Sequence, residues 1–330
     1  MGKCNIRLAT FDDVPAIMRF IDQYWKKDHI LATNRILFEW QYISDEKVNV
    51  VIGIDDLNKI QGILGFIPYG ITNDKDLSLA LWKANQEQQF LGIRLMSYLA
   101  KEIPHKNIVC TGINMETTSA IYSRMGMKIG EMTQWYRLAF RNEYKVAVVI
   151  NKEIPCIQPS KYTLQLINDF DQIESAFDFS IYKENGIPYK SKEYVKKRYF
   201  EHPIYQYFMY GVREKDGNIS ALVVLRIQDY CDSKVFRFID CIGNINVLRT
   251  ITSELDRLMI ENEVEYIDMY ETGIQQDMLW EAGWSLVKES GNIIPNYFSP
   301  YVQRNVAIHY CKSDENAILF RGDGDQDRPN

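Results

Sequence analysis

Residues 109–128, VCTGINMETTSAIYSRMGMK, decide how this chain is read. The apolar and β-branched run Ile108–Thr111 reads as a strand and gives way to a polar turn. A helix is expected over 117–125, carrying Tyr122 and stopping at Gly126. Glycine there takes the left-handed conformation that ends helices at no steric cost. A second strand follows over 127–136.

Working outward, the preceding segments complete one mixed unit. Asn5–Ala9 is a strand, and a helix opens at Asp12 and Asp13 with Val14, Ile17, Met18 and Ile21 on one face. Strands are expected over 48–54, 60–68 and 77–83, then a helix over 86–103 whose Phe90, Leu91, Leu95, Met96, Leu99 and Ile103 share a face. The order is β-α-β-β-β-α-β-α-β.

Pro155 and Pro159 mark a connector over 140–160, after which the order begins again. Strands are expected over 162–167, 205–213, 220–227, 235–242, 265–270 and 316–320, with helices over 169–179, 246–262 and 276–282. The hairpin joining 205–213 to 220–227 is expected to turn at Asp216-Gly217. Gly283 follows Gly126 by 157 residues, Tyr162 follows Asn5 by the same interval, and IYSRMGM (121–127) overlays MLWEAGW (278–284). Repetition over that distance implies duplication of a whole unit. The expected fold class is α/β with a mixed sheet, in two domains, 1–145 and 146–330.

Composition bounds the function. With 46% hydrophobic and 25% charged residues the chain is built to fold, and a net charge of −6 argues against nucleic acid as a main partner. No apolar run approaches a membrane span, the Met-Gly opening lacks the Ser or Thr that myristoylation needs at position 6, and no signal peptide is read, so a cytoplasmic protein with no membrane partner is expected. Six cysteines without a CxxC pair suggest reduced, buried thiols, neither a zinc site nor a disulfide framework.

The turn, "AIY" and "MGM" of residues 114–127 resemble the last conserved block of the GCN5-related N-acetyltransferases (GNAT), roughly N-x-x-A-x-x-x-Y-x-x-x-G-F. The resemblance implies two tandem GNAT-like acyl-CoA N-acyltransferase domains, with the first catalytic and the second a degenerate copy. It also implies an acyl-CoA co-substrate, acetyl-CoA or another, and an acceptor that is a small amine. The chain is similar to tandem enzymes of bacterial surface-polysaccharide synthesis, which would make the acceptor an amino sugar. Tyr122 then corresponds to the tyrosine that protonates the departing thiolate, and its counterpart in the second half, Leu279, has no proton to give.

The resemblance also implies a pyrophosphate held by backbone amides at the start of the long helix. Trp82, Lys83, Phe90, Leu91, Gly92, Ile93 and Arg94 are the candidates, although of the family's Q/R-x-x-G-x-G/A loop only Gly92 is present. His29 and Glu116 are the candidate general bases. Trp25, Phe38, Trp40 and Tyr42 are read either as core or as a wall for a sugar ring. The final RGDGDQDRPN (321–330) is expected to be a solvated tail. Two other classes stay open: an aminoacyl transferase of the Fem type, also tandem and lacking the CoA loop, and a non-catalytic ligand-binding module.

Overall fold

The computed structural model describes residues 4–183, 186–215 and 217–329. The Met-Gly opening, Asp216 of the expected turn and Asn330 lie outside them.

In the first half, strands β1 (Asn5–Leu8), β2 (Val50–Ile54), β3 (Ile60–Pro68), β4 (Leu77–Ala84), β5 (Ile108–Thr111) and β6 (Lys128–Glu131) alternate with helices. These are α1 (Val14–Phe20), α2 (Arg35–Tyr42), α3 (Leu91–Glu102) and α4 (Ser119–Arg124). Next come β7 (Thr133–Leu138) and the second half's strands β8 (Thr163–Ile167), β9 (Phe208–Arg213), β10 (Ile219–Tyr230), β11 (Ser233–Gly243), β12 (Tyr266–Thr272) and β13 (Ser285–Leu286). Its helices are α5 (Phe170–Ala176), α6 (Lys192–Val195), α7 (Thr252–Glu261) and α8 (Gln276–Glu281), and β14 (His309–Lys312) and β15 (Leu319–Phe320) close the chain. Gly126 and Gly283 both have left-handed φ, 77° and 83°, as the spacing requires.

The first sheet runs β1-β2-β3-β4-β5-β14-β6 and the second β8-β9-β10-β11-β12-β7-β13, with β15 against β12. Each sheet therefore takes one strand from the other half. The single strand expected over 127–136 breaks at Met132: β6 stays in the first sheet while β7 crosses and lies between β12 and β13. In return β14, absent from the sequence reading, lies between β5 and β6. A division into 1–145 and 146–330 accordingly cuts through both sheets. Trp135, Tyr136 and Leu138 of β7 are fully buried, each burial stabilising by about 1.5–3 kcal/mol. Arg137 grips Asp256 of α7 bidentately at 2.6 and 2.7 Å. One core passes between the halves, joining Val14, Phe38 and Tyr42 to Phe170, Tyr199 and Leu222.

Each sheet contains one parallel pair with antiparallel neighbours, and in each the pair parts. Strands β4 and β5 are in register only at Leu77–Ile108 and Ser78–Val109. Strands β11 and β12 are in register over Phe236–Ile267, Arg237–Asp268 and Phe238–Met269. A bulge lies beside each fork. Between Leu64–Trp82 and Phe66–Leu79, β4 carries an extra residue at Ala80–Leu81, and between Val224–Asp240 and Leu225–Phe238, β11 carries Ile239.

No helix among the described residues is long and apolar enough to cross a membrane. Among the described residues no group of three or more His, Cys, Asp or Glu is placed to hold a metal. Cys4, Cys110, Cys241 and Cys311 are buried free thiols, whereas Cys156 and Cys231 are exposed. The exposure of Cys156 and Cys231 departs from the expectation of buried thiols, and Cys231 lies just beyond the apolar strand β10. It forms, with Asp232, the two-residue left-handed turn (φ 49° and 56°) between β10 and β11.

Candidate active site

The run Arg321–Pro329 is not solvated. It threads between the halves, and Arg321, Asp323, Asp325 and Asp327 are all at least 94% buried. It begins inside the second fork. There Phe320 pairs with Glu271, the Arg321 amide donates to the Tyr270 carbonyl (3.2 Å), and the Gly322 amide donates to the carbonyl of the bulge residue Ile239 (2.8 Å). A Cβ at Gly322 would lie 2.7 Å from the Tyr199 hydroxyl and 2.9 Å from Ile239 O, so only glycine fits. The chain then reaches the first fork, where Thr111 Oγ1 donates to the Asp323 carbonyl (2.8 Å). Gly324, with φ 67°, packs so closely that a Cβ would sit 2.6 Å from Ser78 Oγ.

Charges anchor this segment. Lys190 Nζ contacts Asp240 (2.6 Å) and Asp323 (2.9 Å), and Tyr199 donates to Asp240 (2.5 Å). Arg226 holds Asp327 bidentately (2.7 and 3.1 Å), and Tyr207 donates to the same carboxylate (2.8 Å). Burial alone would raise the Asp327 carboxyl, but Arg226 holds it far below the ordinary range, so it stays an anion. Sequence composition hid these contacts, because each partner lies far away in the chain.

Between the first fork and the buried C-terminal segment a cleft of about 440 Å³ opens. Its walls include the bulge residue Ala80, the end of β5 with the two residues that follow it (Thr111, Gly112 and Ile113), Trp25, Tyr205, His309, and Arg226, Asn296, Arg321 and Asp325–Pro329. The first sheet's fork thus ends in a cleft, whereas the second sheet's fork is filled by the chain itself.

Tyr122 is 2% exposed, with its ring edge-on to the Trp82 indole at 5.4 Å. Burial, then the thiols Cys110 and Cys311, raise its phenol above the ordinary value, so the hydroxyl keeps its proton. Trp82 also approaches Gly92, whose Cβ would lie 3.4 Å from the indole Nε1, so the indole bridges the start of α3 and Tyr122. Phe90 caps α3 in the left-handed conformation (φ 60°), its ring exposed. The Leu91 amide bonds Gln88 O, while the Gly92 and Ile93 amides find no acceptor among the described residues. Arg94 is spent on the Cys4 carbonyl (2.6 Å), and Lys83 is half-buried on β4.

The two sequence-derived bases fare differently. His29 is buried, burial and then Arg328 pulling its pKa down to about 4. Its Nδ1 accepts the Leu31 amide (3.1 Å), so Nε2 carries the proton of the neutral ring and no lone pair remains for an amine proton. Glu116 is exposed in the turn after β5, its amide bonded to Asn114, and does not line the cleft. Of the aromatic group, Phe38 and Tyr42 are core; Trp40 donates to Lys197 O (3.1 Å), and Trp25 alone reaches the large cleft. The imidazole that does line it, His309, sits on the exchanged strand β14.

No protein-family model matches this chain, and no curated protein matches it by sequence. Solved structures do match by shape. A GCN5-related N-acetyltransferase from Anabaena variabilis superposes with TM-score 0.57 at 12% identity, over 94% of this chain and 72% of that one. A conserved protein of unknown function from Enterococcus faecalis gives 0.57 at 8%, over 93% and 71%. The glucosamine N-acetyltransferase region of a fungal multi-domain β-N-acetylglucosaminidase gives 0.51 at 13%, over 94% of this chain and 38% of that one. The fold is the GNAT fold.

Proposed function

We propose that this chain is a tandem GNAT-like N-acyltransferase that takes an acyl group from acyl-CoA, acetyl-CoA being the first donor to test, and passes it to a small amine. The observation that carries this reading is the first fork. Strands β4 and β5 part beside the Ala80–Leu81 bulge, with unpaired α3 amides on one side and the cleft in front. In this proposal the Gly92 and Ile93 amides hold the pyrophosphate. Backbone N–H groups at the bulge polarise the thioester carbonyl, His309 accepts the amine proton, and Tyr122 protonates the leaving sulfur. The second half, with Leu279 at the Tyr122 position and its fork closed, carries no chemistry. Amino sugars are the first acceptors to try, since one structure of the same fold belongs to a glucosamine N-acetyltransferase region.

Trp82 favours one competitor. A thioester arm reaching Tyr122 from α3 must pass its indole, as a retained fold that binds without turnover would tolerate. The test is a thermal shift with acetyl-CoA followed by mass detection of acylated product. We expect a rise of about 2 °C or more, lost in Gly92→Val, with kcat falling roughly 100-fold or more in Tyr122→Phe while KM for acyl-CoA holds. A shift without product would establish the binding module, and no shift at millimolar acetyl-CoA would end the acyl-CoA reading.

A further inference from the structure

Cations outnumber anions behind the cleft. Arg237 and Arg321 both contact one carboxylate, Asp268, Arg237 at 2.9 Å. Arg226 pairs with Asp327, which also accepts from Tyr207, and the buried Arg198 donates to the carbonyls of Gly322 (3.3 Å) and Asp327 (3.2 Å) with no carboxylate among the described residues. Lys190, on the other side of the segment, has Asp240 and Asp323, and burial raises the Asp323 carboxyl toward its neutral form. With the Arg328–Asp325 pair that also lines the cleft, six cations therefore meet five carboxylates, one of them held toward protonation. Of these cations Arg321 faces the cleft: it is 3% exposed, shares Asp268 with Arg237, donates to Asn296 Oδ1, and has no partner for its Nε. Burial and then Arg237 pull its pKa down to about 10, against the nearby Asp268. Ring faces hold these guanidiniums in place, Arg226 over Tyr205 at 4.1 Å and Arg321 over Tyr270 at 4.7 Å.

From this we infer that the acceptor is an amine that also bears an anionic group, a carboxylate or a phosphate, which docks against Arg321 and Asn296 while the amine faces Ala80 and His309. The inference rests on the proposed acyl transfer for the amine, and on the cleft alone for the anion. Guanidinium forks suit either oxyanion, and a buried cation gains most from an incoming counter-charge.

The experiment uses matched pairs: glucosamine 6-phosphate against glucosamine, and glycine against glycinamide. Melting temperature is measured first without any acyl-CoA, so that binding of the anion is scored independently of turnover. One anionic member should raise it by about 2 °C or more where its neutral partner does nothing, and Arg321→Gln should abolish the difference. Should that variant not fold, the contrast on the unaltered protein decides. Which pair responds separates phosphate from carboxylate. Equal shifts within both pairs, or none, would overturn the inference and mean that the excess charge is answered from within the chain. Acetyl-CoA binding with no anion effect leaves the acyl-transfer reading standing while this one falls. An anion effect without acylated product does the reverse.

Discussion

In the first sheet β4 and β5 part after Ser78 and Val109 and the gap opens on a cleft; in the second, β11 and β12 part after Phe238 and Met269 and the gap is stitched by Leu319–Gly322. Both forks carry a bulge on the strand leading in. A fork leaves backbone donors and acceptors without ladder partners, and buried ones must be satisfied somehow. The second half satisfies them with the protein's own amides, fixing the chain that goes on to build one wall of the first half's cleft. The same forked geometry stands in both sheets, once opening room and once filled.

The comparison breaks most readily at its anchor. Asp327→Ala strips the buried Arg226 and Tyr207 of their shared partner, and stability should fall by about 3–5 kcal/mol by denaturant titration. A loss under 1 kcal/mol would mean the segment is not held by its charges. Next is Glu271, opposite Phe320 in the stitched fork. Burial, set against hydrogen bonds from Trp135 and the Ile274 amide, raises its carboxyl to about 7 from an ordinary 4.5. A raised folded value favours the protonated form, so this stability is complete below pH 4.5 and is lost as pH rises through 7, amounting to about 3 kcal/mol. Glu271→Gln should flatten that slope, and an unchanged slope would place the titration elsewhere. The smallest effect compares the two halves at matched glycines. At Gly126 a Cβ meets nothing within 4 Å, whereas at Gly283 it would lie 2.4 Å from Ile157 and 3.0 Å from Arg137. Both alanine variants carry the left-handed penalty, and Gly283→Ala should cost about 1–3 kcal/mol more. Equal melting temperatures would show that the two turns are packed alike.

The alternating order of strands and helices, the 157-residue repeat and the Tyr122 block were legible because each rests on local periodicity or on a glycine that ends a helix. Helix α6 was within reach too, since Ser191 caps it by accepting the Tyr194 amide. The strand exchange was not legible. Whether Thr133–Leu138 pairs with β5 or with β12 depends on partners that no residue in the strand names, and Met132 carries no turn signal. The tail misled for the reason it matters. Three aspartates and two arginines in ten residues look like solvent-facing charge, and only the fold supplies Lys190 and Arg226 to receive Asp323 and Asp327. Among the proposed site residues, Tyr122 came from a motif, while His309 stands on a strand whose sequence, HYCK, is too short to signal anything but a β-bridge.

The position of β14 sets a condition on biosynthesis. When the first 145 residues have left the ribosome, β5 and β6 each present a free edge, because the strand that belongs between them ends at Lys312. At ordinary translation rates those edges wait roughly 10–30 s for it. Unpaired edges recruit other strands, so this protein is most exposed to aggregation while it is being made, and a stop codon shortly before residue 309 should leave both edges open for good.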